Sequence, residues 1–384
     1  MFPIPQLTRP RAPAAIRVER GHLPLLVALR AVAALIILWH HYAFYGPLSE
    51  WAGPLIGDAL NWLAQHARAT QVFFAIGGYV LARSLESRHW SWRETGAFIA
   101  QRYCRLGLPY LAAIALVIPA CIFARGWVPD SLLGTPVSLP QFLAHLFFLQ
   151  DILGYEQLSA GLWFVCINFQ LCLVYAASLW LRDNVGGGRI DFVGLCGWTL
   201  ALSSLFYFNL DAAAWDRWFL YFFPYFFMGV IVHRALAGSA RHGEFWLYIA
   251  VFVIAMAFEW RWRLASAVAV GVLLIIAEQR GLSARWPRSP WIARLGEISF
   301  SLFLVHFPVL VVIAAVWARL DWNSPAAAVA GLLSAFAASI GVAFVFHRWI
   351  EIPAARISTR DFGKLRQRLS LPWGRKARQP VLES

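Results

Sequence analysis

Apolar runs of 15–23 residues recur along almost the whole 384-residue chain, separated by connectors rich in Arg or in Gly and Pro. A bilayer core needs about 17–25 helical residues per crossing, and within it only helices or closed barrels satisfy every backbone polar group. Runs of this length therefore predict an all-α fold, a polytopic bundle of transmembrane helices. Composition excludes the soluble alternative, because 14% charged against 60% hydrophobic residues cannot cover a water-exposed surface. The first run is too long for the apolar core of a signal peptide and lacks a convincing cleavage site, so it is expected to stay as an uncleaved anchor.

Ten spans are predicted, at 23–45, 68–85, 106–124, 161–181, 190–209, 217–235, 245–260, 264–278, 296–318 and 324–348. The stretch 142–150 is apolar but covers only about 14 Å as helix, half a bilayer, and is expected to be re-entrant or interfacial. Residues 1–22 form a polar, basic N-terminal segment, 23–353 the membrane domain and 354–384 a basic tail.

The net charge of +13 could suggest a nucleic-acid partner. The cations, however, sit in connectors and tails, where a bias toward cytoplasmic Lys and Arg explains them. With ten spans, one side holds Arg102, Arg105, Arg280, Arg285, Arg288 and Arg294 with both termini. The other holds Glu50, Asp58, Asp130, Asp151, Glu156, Asp211 and Asp216. Both termini are thus expected in the cytoplasm of a cell bounded by this (inner) membrane, with no nucleic acid among the partners. The tail, from Arg356 to Arg378, either hugs anionic headgroups or only enforces topology. The five cysteines have no metal-ligand spacing and read as packing residues; no metal is expected.

Ionisable residues inside spans are costly, which makes them functional candidates. Arg30 and His41 are eleven positions apart, so they share one face of the first span at a separation of about 16 Å. His40 falls about 80° from Arg30 on the other side. A snorkelling arginine and an interfacial histidine would explain the pair structurally; a polar track ending in a general base would explain it chemically. Arg102 and Arg105, one turn apart at the cytoplasmic entry to the third span, either mark topology or hold a phosphorylated ligand. His306 lies near Pro308 and could satisfy the carbonyl that the proline frees. Glu351 and Pro353 next to Arg348 read as a salt-bridged cap of the last span.

Taken together these motifs resemble the acyltransferase-3 family of integral membrane acyltransferases, over about residues 25–353. Leu29–His41 is similar to its first-helix arginine and histidine signature, and Phe73-Phe74-Ala75-Ile76-Gly77-Gly78-Tyr79 to its second helix. Arg102-Tyr103-Cys104-Arg105 with Pro109 resembles its third helix, and Gly161-Leu162-Trp163 with Gln170 its middle helix. Gly296–Pro308, followed by Glu351 and Pro353, resembles its last two. The chain departs at Val27, Gln71 and Gly77, and at Asn168 and Phe169, where many members carry acidic residues or serine; these positions bear on subfamily and acceptor.

The resemblance implies transfer of an acyl group, usually acetyl from acetyl-CoA, to a hydroxyl of a carbohydrate, glycolipid or other secondary-metabolite acceptor. His41 would be the base with Arg30 beside it as a catalytic residue. Arg102 and Arg105 would hold the acyl-CoA donor, and His306, Trp163 and Gln170 would contact the acceptor. No bound cofactor is implied, since acyl-CoA is a donor substrate. The rival reading is a proton-coupled transporter or flippase, against which stand the lack of an internal repeat and of a mid-span carboxylate.

Overall fold

The computed structural model describes residues 23–185, 189–238 and 241–359. The expected basic segment 1–22 and most of the tail lie outside the described residues. Among the described residues the protein is helical throughout, with no strand.

The helices in chain order are α1 (Pro24–Phe44), α2 (Leu48–His66), α3 (Thr70–Leu85), α4 (Trp92–Ala124) and the short α5 (Asp130–Leu133) and α6 (Leu139–Leu146). They continue as α7 (Leu162–Asn184), α8 (Phe192–Phe206), α9 (Ala212–Trp215), α10 (Phe219–Ala237) and α11 (His242–Phe258). The last four are α12 (Trp262–Gln279), α13 (Pro290–Glu297), α14 (Ser299–Arg319) and α15 (Pro325–Phe346). A helix occupies each of the ten predicted spans. Eight are long and apolar enough to cross a membrane. The other two, α3 and α11, have 16 and 17 residues, about 24–26 Å. Both still run between the same two faces. Glu86, just beyond α3, meets His233 of α10 at 3.0 Å and Arg241, just before α11, at 3.6 Å. His242, at the start of α11, contacts Gln279 at the end of α12. The face where α1 begins is called proximal below, and the face where it ends distal.

Three local features depart from the sequence reading, and a fourth, the stretch 142–150, takes one of the two forms expected of it. The expected connector 46–67 is α2, which leaves the distal end of α1 and returns to the distal start of α3. It is kinked at Ile56, two residues after Pro54. Its apolar side packs on α1 and α15. The third span begins not at Leu106 but at Trp92. Ser91 and Glu94 form a reciprocal capping box there, so Arg102 and Arg105 sit in mid-helix. The stretch 142–150 is re-entrant: α6 is capped by Ser138 and Gln141 beside the distal end of α4, and its chain then descends into the bundle. At its tip Phe148, with φ +58°, packs on Tyr103 and Tyr110 of α4 and Phe169 of α7. The last span does not stop at Arg348. A π-helical turn, His347–Glu351, follows α15, and the helical path then continues to Thr359.

Two buried cores fill the bundle. One is centred on α3 and α10, which approach closely because glycines face backbone across the contact. A Cβ on Gly78 would lie 2.0 Å from Phe226 O, and one on Gly229 would lie 1.9 Å from Ala75 O. The other joins α1, α4, α14 and α15. The candidate residues of α1 and α14 stand inside this second core.

Candidate active site

The distal half of α1 is held in one rotation by its neighbours. Trp39 stacks on Phe336 of α15 at 5.4 Å, and the Tyr42 hydroxyl contacts Ser339 Oγ at 2.7 Å and Ala335 O at 3.0 Å. That rotation turns His41 inward, where it is only 7% exposed. There it meets His306 of α14, itself 1% exposed. His41 Nδ1 lies 2.7 Å from His306 Nε2, and the two rings are nearly parallel, at 15°.

The tautomers follow from the outer partner. His306 Nδ1 is 3.1 Å from Leu302 O, a carbonyl that can only accept, so the proton of this ring sits on Nδ1. Its Nε2 then offers a lone pair to His41 Nδ1–H, which leaves His41 Nε2 unprotonated. This is the arrangement of a base whose second nitrogen is fixed by an orienting group. The alternative role weighed for His306, satisfying the carbonyl freed by Pro308, is not what the structure contains. That carbonyl belongs to Leu304, four residues before the proline, whereas His306 bonds Leu302.

His41 opens on a distal cavity of about 380 Å³ that is also lined by His40, Tyr45, Trp163, Asp151 and Arg263. His40 thus borders the same space, but its Nδ1 is taken by Leu63 O at 3.2 Å and it does not touch His306. Trp163 lines the same cavity as His41, tilted against Phe222 with ring centroids 5.2 Å apart. Gln170 is not brought there. It follows Trp163 on the same stripe of α7, about 10 Å deeper, half-buried and absent from the cavity lining.

Several cavity residues escaped the sequence reading as site candidates. Asp151 accepts both available contacts of Gln157 Nε2, each at 2.7 Å. Asp216 reaches the cavity from the end of α9 and Arg263 from the first turn of α12. For Asp151 and Asp216 the sequence signal was the excess of acidic residues in the distal connectors; Arg263 had none. His145 also went unnoticed. It is fully buried, with its two nitrogens engaged by Gln141 O and Leu158 N–H, and it anchors the re-entrant segment.

Arg30 is not at the histidine pair. It belongs electrostatically with Arg105, Arg102 and Glu351 toward the proximal face. Arg102 donates from Nε to Cys172 Sγ at 3.4 Å and lies over the Phe98 ring. Neither Arg30 nor Arg105 has a salt-bridge partner among the described residues. Glu351 does not cap Arg348: the π-turn swings it onto Ser301 Oγ, which donates to it, and onto His347 Nδ1 at 2.9 Å. Three guanidiniums facing one partly occupied carboxylate make a site suited to a multiply charged anion. The molecule thus carries a cationic cluster in its proximal half and an oriented imidazole opening distally, about 16 Å apart along α1.

The sequence profile described as an acyltransferase domain matches residues 26–348, from the start of α1 to the π-turn after α15. No curated protein and no solved structure matches the chain. The profile covers both histidines and all three clustered arginines. A helical membrane bundle matched over that length places the protein in the acyltransferase-3 family, as a multi-pass membrane acyltransferase.

Proposed function

We propose that the protein moves an acyl group, acetyl in the simplest case, from acyl-CoA to a hydroxyl of a carbohydrate or glycolipid acceptor, with His41 as general base. The observation that carries this reading is the His41–His306 hydrogen bond, which leaves His41 Nε2 free beside a cavity bordered by Trp163, Tyr45 and carboxylates. Aromatic faces with carboxylates suit a ring that is apolar on its faces and hydroxylated at its edge.

In this reading Arg30, Arg102 and Arg105 hold the phosphates of the donor, and the thioester lies along the bundle toward His41. The acceptor hydroxyl gives its proton to His41 Nε2 as its oxygen attacks the thioester carbonyl. The tetrahedral oxyanion collapses, the C–S bond breaks, and the departing thiolate takes the proton back. Through both steps His41 Nδ1–H stays on His306, which orients the ring. Arg30 moves from the catalytic role expected of it to a donor-binding one.

The test is transfer of label from radiolabelled acetyl-CoA to the carbohydrate and lipid fractions of membranes that carry the protein, normalised to folded protein. His41→Ala should lose about 10²–10⁴-fold in rate, and His40→Ala should keep most of it. Arg105→Ala should raise the donor concentration needed for half-maximal rate by about tenfold or more, the loss of one charge-assisted phosphate contact. An active His41→Ala protein would end the general-base assignment.

A further inference from the structure

A cavity of about 650 Å³ opens on the distal face beside the one that His41 lines. Arg68, Arg261 and Arg263 line it, and Arg263 lines the His41 cavity as well, so the two spaces adjoin through one side chain. The arginines come from separate elements: Arg68 precedes α3, and Arg261 and Arg263 flank the start of α12.

Their partners do not neutralise them. Arg263 donates from Nη1 to the Tyr221 hydroxyl at 2.9 Å and lies over that ring. Arg261 donates only from Nε, to Glu259 O at 3.4 Å. Its two terminal nitrogens are shielded from solvent and have no hydrogen-bond partner among the described residues. Leaving two shielded guanidinium nitrogens without acceptors is costly, and an oxyanion in the cavity would remove that cost. Two carboxylates stand nearby, Glu259 in the lining and Asp216, which interacts with Arg263, Arg217 and Arg68. Within the lining itself Arg68, Arg261 and Arg263 stand against one carboxylate, Glu259, which leaves two positive charges. Desolvation and the neighbouring Arg263 charge also hold the pKa of Arg68 below that of a free arginine, as crowding of cations requires.

A net charge of two suits a phosphate better than a carboxylate, and three guanidiniums lining one cavity can share its tetrahedral oxygens. We infer that Arg68, Arg261 and Arg263 form an oxyanion subsite that holds the phosphate of a phosphorylated carbohydrate acceptor while one of its hydroxyls reaches His41. The inference rests on the acyltransferase reading for its second half only. The exposed rings of Trp62 and Trp262 on the same lining provide a stacking surface for the sugar next to the phosphate.

The experiment is isothermal titration of the full chain in an uncharged, sugar-free detergent with galactose 1-phosphate, galactose, glucuronate, glycerol 3-phosphate and inorganic phosphate, with no acyl donor present. Galactose 1-phosphate should bind more tightly than each of the others. Arg68→Gln and Arg261→Gln should each weaken it by about tenfold or more, and Arg261→Lys should recover part of the loss. Variants that bind like the wild type, or a wild type that prefers glucuronate or galactose, would overturn the subsite. Equal binding of glycerol 3-phosphate and galactose 1-phosphate would assign the arginines to a lipid headgroup and overturn the acceptor assignment. Because the titration contains no donor, binding without acyl transfer would count against the enzymatic reading alone. Transfer with an unchanged acceptor KM in Arg261→Gln would count against the subsite alone.

Discussion

Asp151 gives the His41 cavity a pH-dependent charge. Burial pushes its carboxyl up to about 6, against the lowering effects of the Gln157 amide and the Arg217 charge, while Asp216 raises it further. Because this value lies above the usual carboxylate range near 3.9, the folded protein binds the proton more tightly than the unfolded chain does. The stability contributed by that proton is full below about pH 4 and is lost as pH rises through about 6. A shift of about two units corresponds to about 3 kcal/mol at 1.36 kcal/mol per unit, and at 9% exposure little of it is screened away. Asp151→Asn should therefore be the more stable protein at pH 7.5, by about 1–3 kcal/mol, with little difference near pH 4. Thermal unfolding in detergent at the two pH values checks this, and an unchanged difference between wild type and variant across the range would refute it. At this scale the sequence was partly legible. Helical geometry put Arg30 and His41 on one stripe of α1, but the partner of each was invisible. His306 is 265 positions away, and only the packing of α1 on α14 brings the rings together. Arg30 found its neighbours on α4 and at the π-turn for the same reason.

Among the elements, apolar length was read reliably because it answers to one physical constraint, the thickness of the bilayer. The departures arose where a helix is made by something else. Helix α4 begins fourteen residues before the expected start, through the Ser91 and Glu94 box, a signal present in the sequence and outweighed by the charge of residues 93–105. The Ser138 and Gln141 box of α6 was equally legible, whereas the descent of Phe148 between α4 and α7 depends on contacts that no local pattern records. The glycine pair of α3 has a physical reason that differs between its members. A Cβ on Gly77 would meet only Asn168 Oδ1 at 3.7 Å, but one on Gly78 would collide with the backbone of α10. Gly77→Ala should leave thermal stability nearly unchanged, while Gly78→Ala and Gly229→Ala should each cost about 1–3 kcal/mol or more, since backbone cannot move aside as a side chain can. Equal stabilities of the three variants in detergent would show that α3 and α10 are not held at this distance by their glycines.

Across the whole molecule the ten helices alternate in direction, which separates two chemistries. The arginine cluster lies toward the proximal face, and the His41 cavity and its acidic connectors open distally. The charge bias of the connectors predicts that the proximal face is cytoplasmic. Reporter fusions at Arg285 and after the last residue should therefore report the inside, and fusions at Asp58 and Asp211 the outside; Arg285, Asp58 and Asp211 are exposed. This prediction carries more than topology. Acyl-CoA is made in the cytoplasm, so a donor site built from Arg30, Arg102 and Arg105 is reachable only if that face is inside. In the proposed reaction the same orientation would hand the acceptor to His41 from the outer side, about 16 Å away along α1. An outside signal at Arg285 with an inside signal at Asp211 would invert the bundle and remove the donor from its arginines. It would do so while leaving the His41–His306 pair and its cavity untouched, so the donor assignment can fail without taking the base with it.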